Sequence, residues 1–77
     1  MNKAHIRWAC RRGMLELDII LINFLDKNFD HLDAEQQALF VEFLKEADQD
    51  LYAWILKVIP CPHQHFQPIL TVIRQTL

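Results

Sequence analysis

The fold of this chain depends on one stretch, Arg11-Arg12-Gly13-Met14-Leu15-Glu16-Leu17-Asp18, which holds the only glycine among its 77 residues. A lone glycine between two runs of helical periodicity indicates a point where the backbone needs a positive φ. Two guanidinium groups precede this glycine and two carboxylates follow it. The stretch therefore predicts a corner between two helices that carries both signs of charge, and such a corner is a candidate working surface.

Helical spacing of apolar residues recurs on both sides of Gly13. In the first helix, Gly13 is expected to close the C-terminus as a left-handed residue. In the third predicted helix, Asp33 is expected to act as the N-cap, with Gln36 in a capping-box position. Helices are predicted over five ranges: 3–12, 14–28, 34–46, 50–59 and 67–76.

Prolines mark the C-terminal third of the chain. Pro60 and Pro62 are expected to end the fourth helix, because proline lacks the amide that a helix interior uses. Pro68 fits the first turn of the fifth helix, so residues 63–66 are expected to be irregular. No strand alternation or internal repeat is present. The predicted fold class is all-α: a single domain over 1–77, built as a compact bundle of four to five short helices.

Large apolar side chains at helical spacing predict the core. Val58 and Leu77 are placed on the inward faces of the fourth and fifth helices. For Trp8 we expect core packing, with an exposed anchor for a partner as the alternative. The expected aromatic core consists of Phe24, Phe29, Phe40, Phe43, Trp54 and Phe66.

Composition limits the function. The chain is 52% hydrophobic with a net charge of −2 and a pI near 6.0, which argues against a nucleic-acid binder. A DNA-reading helix is also disfavoured, because the helix after Gly13 begins with acids that would face phosphates. The longest apolar run of the whole chain is far shorter than the roughly 20 residues that a membrane-spanning helix needs. We expect no membrane insertion and a cytoplasmic location, with a matrix-type compartment as the alternative.

Enzymatic chemistry has little support in the sequence. Serine is absent, and Cys10, although next to two arginines that could lower a thiol pKa, has no recognisable histidine base. We expect Cys10 to be a small core residue and the chain not to be an enzyme. The segment Cys61-Pro62-His63-Gln64-His65 offers three possible metal ligands but no second ligand pair. We therefore expect no metal site, and a polar loop instead.

The segment from Asn2 to Asp18, with its pattern Trp-x-x-Arg-Arg-Gly-x-x-Glu-x-Asp, resembles the SdhE family of flavoprotein assembly factors, whose mitochondrial relatives are called succinate dehydrogenase assembly factor 2. The family signature Arg-Gly-x-x-Glu is matched by Arg12, Gly13 and Glu16. The run 48–55 resembles the family's acidic fourth helix. The loop over 60–68 departs from the pattern.

The resemblance implies a small chaperone that binds the flavoprotein subunit of succinate dehydrogenase, or of fumarate reductase, and promotes covalent attachment of FAD. FAD would be the cofactor of the client and would not be held stably by this chain. The alternative is a helical adaptor, or an antitoxin-like partner of a small membrane protein. In the implied partner site, Arg12 and Arg11 would face outward and donate forked hydrogen bonds to carboxylates or to acceptors near the flavin. Glu16 would brace Arg12 or pair with a client cation. The full expected site is Arg12, Gly13 and Glu16, with Arg7, Trp8, Arg11 and Asp18 around them.

Overall fold

Seven helical segments follow one another through short links in a computed structural model that describes residues 2–77. The α-helices are α1 (Lys3–Ala9), α2 (Leu15–Asn28), α3 (Ala34–Phe43), α4 (Asp48–Ile55) and α5 (Gln67–Gln75). Single 3-10 turns lie at Phe29–His31 and Gln64–Phe66. Within residues 2–77 there is no strand, and the predicted all-α bundle is confirmed. Each helix of this part of the chain is too short or too polar to cross a membrane.

Helix α5 lies at the centre of the packing, against α2, α3 and α4, and α2 also contacts α4. Burial follows the apolar stripes of these helices, so that Ile69, Leu70 and Ile73 of α5 are fully buried. The described chain measures 30 × 25 × 21 Å.

The predicted aromatic core is confirmed, because all six rings are at most 5% exposed. Phe43 meets Phe66 edge to face with ring centroids 5.2 Å apart. The inward placement of Val58 and Leu77 is wrong, since they are 72% and 63% exposed. Both lie beyond the last residue of their helix, where helical spacing no longer determines which way a side chain points.

The first helix ends earlier than predicted, at Ala9 instead of residue 12. The positive φ of Gly13 is confirmed at +86°, but its expected role as the helix cap is wrong. Cys10 closes the helix instead, because its amide donates to the carbonyls of Ile6 and Arg7 at 3.1 and 3.2 Å. Gly13 therefore turns the link between α1 and α2 without belonging to either helix.

Helix α3 begins as predicted, because the amide of Gln36 donates to Oδ1 of Asp33 at 2.8 Å. It ends at Phe43 instead of residue 46, which leaves Leu44 to Glu46 as a turn. The carbonyls of Leu44 and Glu46 in that turn accept hydrogen bonds from a side chain in another part of the chain.

Helix α4 begins two residues before the predicted start and ends at Ile55. The prediction that Pro60 and Pro62 end it is wrong. Lys57 has a φ of +60°, its amide donates to the Trp54 carbonyl, and the Val58 amide donates to the Ala53 carbonyl at 2.9 Å. These two bonds form a Schellman motif, with lysine at the left-handed position that glycine normally takes.

The segment before α5 is more regular than predicted, since Gln64–Phe66 form a 3-10 turn where an irregular stretch was expected. Phe66 is buried and anchors this turn to the core. Pro68 lies in the first turn of α5, as predicted.

Candidate functional site

The guanidinium group of Arg12 points into the molecule. Its Nε donates to Oδ1 of Asp48 at 2.7 Å, and its Nη2 donates to the Glu46 carbonyl at 2.7 Å. Its Nη1 donates to the carbonyls of Ala9, at 3.2 Å, and of Leu44. The side chain is only 17% exposed. The expectation that this guanidinium faces outward is therefore wrong; it joins the end of α1 to the turn between α3 and α4.

The backbone of the same corner is fixed by a second bond. The amide of Arg12 donates to Oδ1 of Asp18 at 2.7 Å, so a carboxylate in the first turn of α2 holds the link that precedes it. A Cβ added at Gly13 would meet no atom within 4 Å. The space next to Gly13 is therefore open, and a partner could approach its backbone there.

Two charged side chains at this corner have no partner of their own. Glu16 is exposed in the first turn of α2, and Arg11 is exposed in the link; neither makes a side-chain hydrogen bond or an ion pair within residues 2–77. The expectation that Glu16 braces Arg12 is wrong, because Asp48 occupies that role. Arg7 pairs with Asp26 across α1 and α2.

An apolar surface surrounds these charges. Trp8 is 73% exposed, so the expectation of core packing is wrong and the alternative of an exposed side chain holds. Leu15 and Ile19 are 69% and 59% exposed, and sequence reasoning did not select either. Their signal was present, because positions 15, 19 and 22 form a helical stripe separate from the buried stripe of Leu17 and Leu21. Glu16 lies beside that stripe, three residues before Ile19.

Two shallow hollows divide this surface, and Arg11 and Ile22 border both. The first, of about 310 Å³, is also lined by Arg7 and Trp8. The second, of about 390 Å³, is also lined by Leu15, Asp18, Ile19, Asn23 and Asp26. We call the surface formed by Trp8, Arg11, Leu15, Ile19 and Ile22 the α1–α2 face.

Cys10 lies beneath this corner and is fully buried, as predicted for a core residue. Burial raises the pKa of its thiol to about 12, although the positive charges of Arg12 and Arg7 partly oppose the rise. A thiol that stays protonated is a poor nucleophile. Neighbouring arginines therefore do not activate this cysteine.

The histidine-containing loop lies elsewhere, between α4 and α5. Cys61 Sγ donates to the His63 carbonyl at 3.5 Å, and the Nε2 atoms of His63 and His65 lie 3.9 and 3.6 Å from the carboxylates of Glu46 and Glu42. Within residues 2–77, no three side chains of the histidine, cysteine and carboxylate types converge as metal ligands. A hollow of about 550 Å³ opens beside His65, between α3 and the start of α5.

Known proteins match almost the whole length of this chain. A family described as "Flavinator of succinate dehydrogenase" (Sdh5) matches residues 4–77. The chain is 39% identical over 74 residues to a protein of Shewanella oneidensis named "FAD assembly factor SdhE", which covers 96% of this chain and 90% of that protein. A protein of the same name from Vibrio cholerae is 50% identical over 55 residues, 71% of this chain and 64% of its own length. One from Colwellia psychrerythraea is 38% identical over 73 residues, 95% of this chain and 80% of its own length.

Proposed function

This chain belongs to the Sdh5 family of succinate dehydrogenase flavinators, and from that premise we propose that it is an assembly factor for the flavoprotein subunit of succinate dehydrogenase. In this role it binds the subunit and promotes covalent attachment of FAD. A fumarate reductase flavoprotein is a second client in this proposal.

The α1–α2 face is the observation that carries the proposal. Exposed apolar side chains of this size, grouped around charges without partners, are typical of a surface that another protein covers. Trp8, Leu15 and Ile19 supply the apolar area. Arg11 within the face supplies a positive charge, and Glu16 beside it supplies a negative one. The family motif Arg12-Gly13-x-x-Glu16 lies at the same corner, so the face and the resemblance point to one place.

Each member of the expected site then has a distinct task in the proposal. Arg7, Trp8, Arg11 and Glu16 contact the client, and Gly13 lets its backbone come close. Arg12 and Asp18 act from within, because their hydrogen bonds set the shape of the link. They are positioning residues.

We assign the bond-forming chemistry to the flavin and the client, with no catalytic group on this chain. Its one nucleophilic candidate at the corner, Cys10, is buried and protonated. A single glycine in 77 residues also gives no glycine-rich loop to cradle the FAD pyrophosphate. What the factor contributes is orientation: holding two reacting groups in an attack geometry lowers a barrier by several kcal/mol, up to about 7–11 kcal/mol in well-oriented systems.

The test is co-expression with a succinate dehydrogenase flavoprotein in a host that lacks its own assembly factor, read out by flavin fluorescence in a denaturing gel. The double variant Leu15→Ala/Ile19→Ala is expected to lose most covalent flavin. Its matched control is Val58→Ala/Ile59→Ala, which removes two similarly exposed apolar side chains outside the α1–α2 face. Equal flavin content in the two doubles would overturn the assignment of the face. Binding without any gain in covalent flavin would favour the adaptor alternative.

A further inference from the structure

Neighbouring arginines at the corner have opposite surroundings. Arg12 is partly buried among its acceptors, whereas Arg11 is exposed between the two hollows of the α1–α2 face and has no side-chain partner among residues 2–77. We infer that Arg11 recognises one carboxylate on the client, and that the client segment places an apolar side chain in the hollow on each side of it. The inference rests on the proposed function and specifies the chemistry of the partner segment.

The other arginines of the described chain are already engaged. Arg7 pairs with Asp26, Arg12 pairs with Asp48, and Arg74 donates to the carbonyls of Trp54 and Ile55. Arg11 alone among the arginines of residues 2–77 makes no side-chain hydrogen bond there. Its planar group can therefore offer a two-pronged donor set to a carboxylate without breaking an existing contact.

The lining of the two hollows determines which client side chains must flank the carboxylate. Trp8 lines one hollow, Leu15 and Ile19 line the other, and Ile22 lines both. These apolar side chains stabilise the complex only when the client covers them with apolar groups. A client segment that fits this surface is amphipathic, with an aspartate or glutamate between two apolar side chains.

Nearby charges favour a carboxylate over the FAD pyrophosphate. Asp18 and Asp26 line the second hollow together with Arg11. Two carboxylates repel a group that carries two negative charges more strongly than a group that carries one. The pyrophosphate also offers no apolar flanks for the hollows. For these reasons we assign the anion to the protein part of the client.

Arg11→Gln tests the inference, because glutamine keeps a polar side chain and removes the charge. Binding of the purified variant to the succinate dehydrogenase flavoprotein subunit, without FAD and at low salt, is measured by isothermal titration calorimetry. We expect a loss of affinity of about tenfold to a hundredfold, with an unchanged urea midpoint. Lys45→Gln is the matched control: it removes an exposed cation that lies outside the α1–α2 face and has no ion pair within residues 2–77.

A second variant identifies the partner atom. Arg11→Lys keeps the positive charge and introduces an amine, which a carbodiimide links to any carboxylate in direct contact. Peptide mapping is expected to show a new link from position 11 to an aspartate or glutamate that lies between apolar residues of the client.

The outcomes separate the inference from the function on which it rests. If Arg11→Gln binds like the wild type while Leu15→Ala/Ile19→Ala does not, the carboxylate assignment is overturned and the proposed function stands. A loss of affinity that appears only when FAD is present would also overturn it, in favour of the pyrophosphate. If Arg11→Gln and the apolar double variant both bind and flavinylate normally, the carboxylate assignment and the assignment of the α1–α2 face are both overturned. The proposed function itself fails if the wild-type chain neither binds the flavoprotein subunit nor raises its covalent flavin.

Discussion

Arg12 and Asp48 are joined at 2.7 Å although 36 residues separate them in the chain. The pair connects the link after α1 to the first residue of α4, and the same guanidinium also holds carbonyls at the end of α3. Three parts of the fold thus meet on one side chain. A motif that is only five residues long in sequence therefore depends on a distant turn for its shape.

Loss of the Arg12 side chain is expected to destabilise the fold. Arg12→Ala removes a partly buried ion pair and leaves the carbonyls of Leu44 and Glu46 without their donor. We expect the free energy of unfolding, measured by urea denaturation with circular dichroism, to fall by about 2–4 kcal/mol. Arg11→Ala is the control and is expected to change it by less than about 0.5 kcal/mol. Equal losses in both variants would contradict the buried role.

Substitution of Gly13 is expected to separate backbone strain from partner contact. At a φ of +86°, alanine costs about 1 kcal/mol, whereas asparagine tolerates positive φ better. Neither side chain collides with the protein, because the space around an added Cβ is open. We expect Gly13→Asn to keep most of its stability in a thermal melt and yet bind the client more weakly. Full binding by Gly13→Asn would show that no close approach occurs there.

Titration of Cys10 is expected to make stability fall at high pH. Its pKa is raised from 9.0 to about 12 in the folded chain, so above pH 9 the unfolded state loses its proton first. Below pH 9, Cys10 makes its full contribution to the free energy of unfolding. Between pH 9 and 12 that contribution decreases by about 1.4 kcal/mol per pH unit. The measurement is the difference in unfolding free energy between wild type and Cys10→Ala across that range. A difference that does not change with pH would contradict the raised pKa.

Replacement of Lys57 by glycine is expected to stabilise the protein. Lys57 occupies the left-handed position of the Schellman motif with a φ of +60°, where a Cβ is unfavourable. Lys57→Gly is expected to raise the free energy of unfolding by about 0.5–1 kcal/mol in urea denaturation. Lys57→Ala removes the charge and keeps the Cβ, so it is expected to give no such gain. A gain of the same size in both variants would point to the charge instead of the backbone.

Periodicity in the sequence predicted the helices and their buried stripes well. Phe24 and Phe40 were assigned to the core correctly, because apolar residues at helical spacing share one face of a helix and that face packs inward. Helix ends were predicted less well. The end of α4 at Ile55, with Lys57 in the left-handed position beyond it, carries no glycine signal, since the bonds that form it depend on local geometry.

The position of the corner was predicted from the sequence, but the directions in which its side chains point were not predicted correctly. Nothing near Arg12 indicates that three of its four acceptors lie 32 to 36 residues further along the chain. Trp8 was misplaced for a related reason: a seven-residue helix has only two turns, and either face could have been the buried one. Tertiary packing decided both cases.

The bond between the Arg12 amide and Asp18 determines how the corner meets a client. Ordering a loose link costs about 1–2 kcal/mol per residue in conformational entropy, and here that ordering is complete once the chain has folded. Docking on a preorganised surface leaves more of the interaction free energy for affinity. Without the Asp18 carboxylate, the same entropic cost would move into the association step, and the complex would weaken although every contact group remained in place.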